Sequence, residues 1–128
     1  MPSFDDALGI HASAVALRVR RAEILAANLA NADTPGYQAR DLDFRAALAA
    51  AAGPEVLART QAGHLGAGGG SADYALQYRQ PLHASIDQNT VDVQAERAAF
   101  LDNAVRYQAS MTFLNGRIAG LVSALRGE

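Results

Sequence analysis

Mostly apolar residues near the N-terminus recur at alternating steps of four and three, the spacing of one helix face. This first row comprises Ile10, Ala14, Leu17, Arg21, Ile24, Asn28 and Asn31. It predicts an amphipathic helix from about Asp5 to Asn31. Pro35 forbids a continuation, because it lacks a backbone N–H and disfavours the helical conformation at Thr34.

A longer row with the same spacing runs through the C-terminal part of the chain without a slip. Its members are Val93, Arg97, Phe100, Ala104, Tyr107, Met111, Leu114, Ile118, Leu121 and Leu125. They predict a helix of about 36 residues and roughly 55 Å. Asn89 or Thr90 is expected to cap its start, with Asp92 in the first turn and Gly127 at the end.

Two glycines, Gly116 and Gly120, lie inside this second helix and each costs it about 1 kcal/mol relative to alanine. The apolar row passes straight through them, so the helix is expected to continue. They are either tolerated flaws or positions at which a neighbouring helix approaches closely, and the sequence leaves both open.

The middle segment, residues 32–90, combines turn, linker and strand signals. Pro35-Gly36 predicts a type II turn with a positive φ at the glycine. Ala46–Ala52 predicts a short helix, and Gly63–Ser71 predicts a flexible linker. The weak alternation over Asp73–Ile86 predicts short extended pieces.

The predicted fold is therefore mainly α. A helix over residues 1–31 and another over residues 91–128 are expected to pair as a coiled-coil-like bundle, and residues 32–90 complete one structural unit. Half of the 128 residues are hydrophobic, but many are alanine and only 6% are aromatic. Apolar area per residue is low for a self-sufficient core, so copies or partners are expected to complete it.

Charge and cysteine content exclude several classes of protein. The formal net charge is −2, and the basic residues are dispersed arginines rather than the clustered patch that nucleic acid binding requires. No cysteine is present, which excludes disulfides and thiol chemistry. The N-terminus lacks the pattern of a cleaved signal peptide, and no run approaches the roughly 20 apolar residues that span a bilayer.

No reactive centre is evident. His11, His64 and His83 are far apart in the sequence and match no catalytic motif. Asp33, Asp41 and Asp43 lack the spacing of a calcium loop and are better explained as turn and helix-start residues. The chain is therefore expected not to be an enzyme and to bind neither a cofactor nor a metal nor a small-molecule substrate.

Two amides, Asn28 and Asn31, occupy positions where an apolar side chain would stabilise the first helix more. One interpretation is that they satisfy the last carbonyls of a fraying helix end. The other, which we favour because both lie on one seam, is that buried amides fix the register against a partner.

The stretch "LAANLANADTPGYQARDLDF" resembles the N-terminal signature of the bacterial flagellar rod and hook family. The residues of this family turn motif are Asn28, Asn31, Thr34, Pro35, Gly36 and Tyr37. The Ala-Asp before Thr-Pro-Gly-Tyr and the following Ala-Arg-Asp-Leu-Asp-Phe are similar to the proximal rod subunits of that family. The C-terminal segment Asn103–Glu128 resembles the same subunits.

This resemblance implies a structural subunit of the flagellar basal body. Its terminal helices would form a tube around an export channel. Its partners would be copies or related rod subunits, the rod-base adapter protein, the membrane ring and the type III export gate. It would lie in the periplasmic rod and be exported without signal cleavage. The first helix would end at Asn31 so that the turn carries the chain toward adjacent subunits.

The apolar positions of both helices form the predicted assembly seam. They are Ile10, Leu17, Ile24, Val93, Phe100, Tyr107, Met111, Leu114, Ile118, Leu121 and Leu125. Phe4 and Leu8 match the Phe-x-x-x-apolar export signal of such substrates, although an apolar pair one turn apart also staples a helix start. Two alternatives remain: another flagellar axial protein, or a helical export adapter or chaperone that does not polymerise.

Overall fold

Five elements make up the described part of the protein. The computed structural model describes residues 8–51, 76–81 and 83–127. In chain order the elements are α1 (Ile10–Ala30), β1 (Arg40–Leu42), α2 (Phe44–Ala51), β2 (Leu76–Tyr78) and α3 (Val93–Arg126). The prediction of a mainly α fold with long terminal helices and short strands between them is confirmed. The predicted linker Gly63–Ser71 lies outside the described residues.

The first helix, α1, is shorter than predicted within the described residues. It begins at Ile10, because Gly9 has φ 60° and ψ −151° and interrupts the helical path; the predicted start at Asp5 lies outside the described residues. It ends at Ala30, and the backbone N–H of Asn31 donates to the carbonyls of Ala27 and Asn28. The predicted end is correct to within one residue.

The last helix, α3, has 34 residues, and the predicted caps are partly wrong. Asp92 is the N-cap rather than a residue of the first turn, since its side chain accepts from the backbone N–H groups of Gln94 and Ala95. Neither Asn89 nor Thr90 caps the helix. Gly127 ends it as predicted, with φ 75° and an N–H that donates to the Ser123 carbonyl.

The two long helices pack side by side and antiparallel. Near the end of α1, Asn28 contacts Glu96 at the start of α3. Further along, Asn103 donates to the carbonyl of Arg18. The rings of His11 and Phe113 lie 6.1 Å apart near the start of α1. Residues after Phe113 therefore extend beyond the described part of α1.

A two-stranded antiparallel sheet joins the middle segment to the helix pair. Leu42 of β1 pairs with Leu76 of β2, and Arg40 pairs with Tyr78. β2 lies within the predicted extended region, whereas β1 was not predicted as a strand. The short helix predicted over Ala46–Ala52 is present, but it begins earlier, at Phe44.

The apolar core is small and lies where α1, β1 and α2 meet. Its buried members are Leu42 and Ala47, against which Leu17 and Ile24 of α1 pack. Leu25 and Ala39 are also fully buried. Within the described ranges, no helix is long and apolar enough to cross a bilayer.

Candidate assembly site: the turn junction and the helix faces

The turn that follows α1 has the predicted geometry. The N–H of Tyr37 donates to the carbonyl of Thr34, which closes a turn around Pro35 and Gly36. Gly36 has φ 71°, close to the value that a type II turn requires at this position. The N–H of Gly36 donates to the Asp87 carbonyl at 2.7 Å. The turn therefore packs against the segment that leads into α3.

Asn89 fixes this turn from the other side of the chain. Its side-chain nitrogen lies within hydrogen-bond distance of three carbonyls, those of Asn31 at 3.0 Å, Ala32 at 2.8 Å and Thr34 at 2.9 Å. Its side-chain oxygen accepts from the Val91 N–H. Instead of capping α3, this buried amide binds carbonyls of the turn that follows α1.

Asn28 is the centre of the junction and has no exposed surface. Its amide nitrogen donates to the Arg40 carbonyl at 2.6 Å and to Glu96 Oε2 at 3.1 Å. Its amide oxygen accepts from the Arg40 N–H at 3.1 Å and from the Tyr37 hydroxyl at 3.3 Å. Asn28 thereby fixes the positions of α1, β1 and α3 relative to one another.

Asn31 makes a different set of contacts. Its amide nitrogen donates to the Ala27 carbonyl at 2.8 Å, and its amide oxygen accepts from the Thr34 hydroxyl. This is the contact pattern of a residue that completes a helix end. The two interpretations of the amide pair therefore divide between the two residues, with register contacts at Asn28 and end contacts at Asn31.

A charged network adjoins Asn28 and connects three elements with the segment that follows β2. Arg21 of α1 binds Asp41 of β1 through two hydrogen bonds of 2.8 and 2.9 Å. Arg79, which follows β2, lies 2.6 Å from Asp41 and 3.4 Å from Glu96 of α3. Glu96 is only 1% exposed. The network ties the strand segment to both long helices.

The arginines set the charge state of Asp41. Burial acts to raise the pKa of Asp41. The hydrogen bonds and positive charge of Arg21, together with hydrogen bonds from the Leu42 N–H and from Arg79, outweigh this effect. The pKa of Asp41 therefore lies below its ordinary value. The hydrogen bond from Arg21 to Asp41 also raises the pKa of Arg21. Both groups are charged at neutral pH.

Asp33 and Asp43, the other two aspartates considered as cation ligands in the sequence, lie in different environments. Asp43 accepts from the Ala46 N–H at the start of α2 and lies 3.4 Å from the Gln77 amide. Asp33 is exposed in the turn region. In residues 8–51, 76–81 and 83–127, no three His, Cys, Asp or Glu side chains are grouped to hold a metal ion.

The predicted seam residues differ in burial and in surroundings. Leu17 and Ile24 pack against Leu42 of β1 and Ala47 of α2. Six of the other seam residues are partly buried, namely Val93, Phe100, Tyr107, Met111, Leu114 and Leu121. The remaining three, Ile10, Ile118 and Leu125, are exposed. Of the predicted export pair, Leu8 is partly buried and Phe4 lies outside the described residues.

Sequence reasoning did not identify three buried polar residues of the long helices. Besides Glu96, these are Asn103, which is 1% exposed, and Arg18, whose guanidinium lies 3.5 Å from the centre of the Phe44 ring. Burial lowers the pKa of Arg18, and the nearby Arg106 and Arg21 lower it further. Periodicity searches count apolar positions, so a buried charge or amide gives no signal in them.

Comparisons with known proteins identify the family. A family model described as Flagella basal body rod protein matches residues 8–38, which include α1 and the turn motif. Flagellar basal body rod protein FlgB of Cereibacter sphaeroides is 48% identical over 128 residues, covering 100% of both chains. FlgB of Aeromonas hydrophila is 49% identical over 129 residues, covering 98% of this chain and 97% of the relative.

A third relative extends the similarity to a further organism. FlgB of Escherichia coli K12 is 42% identical over 134 residues, covering 98% of this chain and 97% of the relative. Each of these relatives is a rod protein rather than an enzyme. The similarity includes both long helices and the junction between them, and the chain thus belongs to the flagellar basal body rod proteins, as a structural subunit of the rod.

Proposed function

We propose that this subunit polymerises through its terminal helices into the proximal, tubular part of the rod and links the rod base to the more distal axial parts. One observation supports this above all others, the exposed apolar side chains on α3 from Phe113 onward. After Phe113, α3 continues for about 20 Å past the described start of α1.

Apolar side chains cover this distal part of α3. Phe113 is 65% exposed and Leu125 is 88% exposed, and Ile118 and Val122 between them are also exposed. Ile118, Val122 and Leu125 share one face of the helix, and apolar surface exposed in this way is typical of a protein–protein interface. Burial of each such side chain contributes about 1–2 kcal/mol. Neighbouring subunits in the rod would supply that burial.

The two glycines of α3 fit the same proposal. A Cβ atom built at Gly116 or Gly120 has no described atom within 4 Å. Neither glycine is therefore explained by close packing within the described part of the chain. Each glycine lowers the stability of the helix by about 1 kcal/mol relative to alanine. Of the two interpretations, tolerated flaws or close approach of a neighbouring helix, we favour close approach by a helix of a neighbouring subunit.

The finer partners of the subunit also belong to this proposal. We place it in the periplasmic rod, in contact with copies or related rod subunits, the rod-base adapter and the membrane ring. Thr34 and Pro35 of the turn motif are exposed and are available for contacts with adjacent subunits. The relatives that match this chain over its full length are rod proteins, and they do not favour the alternative of an adapter or chaperone that does not polymerise.

Complementation of a deletion strain tests the assembly role. The double variant Ile118→Asp, Leu125→Asp places two charges on the apolar distal part of α3 and is expected to abolish motility, with basal bodies that stop at the inner-membrane ring. Asn115→Asp is the matched control, because it adds a charge to the same part of the helix without removing apolar surface. Normal swimming and complete rods in the double variant would contradict the proposal.

We also propose export by the flagellar type III pathway without cleavage, with Phe4 and Leu8 as its signal. Phe4→Ala is expected to reduce export of the subunit several-fold or more, measured as the amount of subunit in the periplasm of cells that cannot assemble rods. Asp5→Ala is the control, because it keeps the Phe-x-x-x-Leu spacing. Unchanged secretion of Phe4→Ala would leave the pair as a helix staple only.

A further inference from the structure

The strand segment, residues 76–81, is held in place with little apolar burial. Leu76 and Arg79 are partly buried, and the other residues of the segment are exposed, Tyr78 by 67%. β2 pairs with β1 over three residues, and a two-stranded sheet by itself is marginally stable in water. The docking of this segment on the subunit therefore depends on a contact other than the strand pairing.

Arg79 supplies this contact. Its backbone N–H donates to the Ala39 carbonyl at 2.9 Å and extends the strand pairing by one step. Its side chain, 28% exposed, carries the contact further, because one guanidinium nitrogen lies 2.6 Å from Asp41 of β1 and the other lies 3.4 Å from Glu96 of α3. The strand segment is therefore connected to a long helix through a single charged side chain.

The Glu96 carboxylate, in turn, depends on a positive charge from outside its own helix. It is 1% exposed and accepts from the Asn28 amide of α1 at 3.1 Å. The amide is uncharged, so the positive charge in contact with Glu96 is that of Arg79. Removing one partner of a buried ion pair is strongly destabilising, since the other charge stays buried without compensation. The contact between α1 and α3 is thus neutralised from the strand segment.

We propose that the strand segment acts as a strap whose docking sets the register of α1 on α3. Docking of β2 brings Arg79 to Glu96, and the paired carboxylate then holds the Asn28 amide. Release of the strap leaves the carboxylate buried without its countercharge, and the helix junction loosens. Arg79 is a positioning residue that acts on the helix pair through Glu96. This inference goes beyond the rod function and does not depend on it.

A double-mutant cycle on the purified full-length chain tests the strap. Arg79→Met removes the charge and keeps a long side chain, and it is expected to lower the folded-to-unfolded ratio about tenfold or more in urea unfolding. Amide hydrogen exchange should become faster at the end of α1 and the start of α3, as well as in the two strands. Glu96→Gln keeps an acceptor for Asn28 without a charge. Added to Arg79→Met, it is expected to restore most of the lost stability and of the helix protection.

Arg21→Met is the matched control. Arg21 binds the same Asp41 through two hydrogen bonds, and in the described part of the chain it forms no ion pair with Glu96. Arg21→Met should therefore also destabilise the subunit, but Glu96→Gln should restore much less of that loss. A specific rescue of Arg79→Met separates a role through Glu96 from a general contribution of positive charge to the network.

Each outcome decides for or against the strap. Faster exchange confined to β1 and β2 would make Arg79 a local strand contact and overturn the inference. Failure of Glu96→Gln to rescue Arg79→Met, or equal rescue of Arg21→Met, would overturn it as well. If the Arg79→Met chain does not fold, recovery of folding in the double variant supports the strap and continued unfolding contradicts it. Motility and rod assembly do not enter these measurements, so the proposed function stands or falls separately.

Discussion

Asn28 and Glu96 show that single polar residues contribute to how the long helices meet. Both are fully or almost fully buried and hydrogen-bonded to each other. A buried polar group is tolerated when its hydrogen bonds are made, and it then penalises any register in which they are lost. A slip of α1 along α3 would leave the Asn28 amide and the Glu96 carboxylate without these partners. The pair thus specifies one register.

The two amides of the turn motif differ in their contacts and are therefore expected to differ in effect. Asn28→Ala removes four hydrogen bonds and leaves buried partners unpaired, so it should lower the free energy of unfolding by about 1–3 kcal/mol. Asn31→Ala removes only exposed or half-buried helix-end contacts and should cost less than about 1 kcal/mol. Urea unfolding followed by circular dichroism measures both. An equal or larger loss for Asn31→Ala would contradict the assignment of register to Asn28.

At the scale of secondary structure, periodicity and breakers predicted the helices well. The four-three spacing identified α1 and α3, and Pro35 and Gly127 identified where each ends, because these are local properties of the chain. β1 escaped prediction, since three residues, Arg40–Leu42, carry no measurable alternation. Its partner β2 is more than thirty residues away in the sequence. Pairing across that distance leaves no local pattern.

The helix caps and the seam show that sequence patterns do not predict which element a residue contacts. Asn89 is a good helix-capping residue by type, yet its amide binds the turn that follows α1, more than fifty residues earlier in the chain. Leu17 and Ile24 were predicted as seam positions, and they pack against Leu42 and Ala47 within the subunit. The pattern cannot tell which element covers a face, so α2 and β1 were not foreseen as their partners.

Considered as a whole molecule, the subunit has an uneven distribution of polar and apolar groups. Its helix junction is polar and charged, while apolar side chains lie exposed along α3, among them Leu101, Val105, Phe113 and Leu125. A subunit that functions alone would usually bury the larger apolar patches. Apolar surface left bare on separate faces is typical of a component whose core is completed by its neighbours.

The charged network makes the stability of the whole molecule dependent on pH. Because the pKa of Asp41 is below its ordinary value in the folded protein, the unfolded chain binds more protons in mildly acidic solution. The stabilisation from Asp41 is fully present above the unfolded pKa of about 4 and is lost as the pH falls through the lower folded value. The urea concentration at the unfolding midpoint, measured between pH 7 and pH 3, should decrease once the pH drops below about 4.

Asp41→Asn separates this contribution from general acid unfolding. The variant should be less stable at pH 7 by about 2 kcal/mol, because Arg21 and Arg79 lose charge-assisted hydrogen bonds. It should also lose less of its stability between pH 5 and pH 3 than the wild-type chain does. Asp33→Asn is the matched control, since the exposed Asp33 carboxylate has no ion pair in the described part of the chain. Parallel pH profiles for wild type and Asp41→Asn would show that the network does not link the folded state to pH.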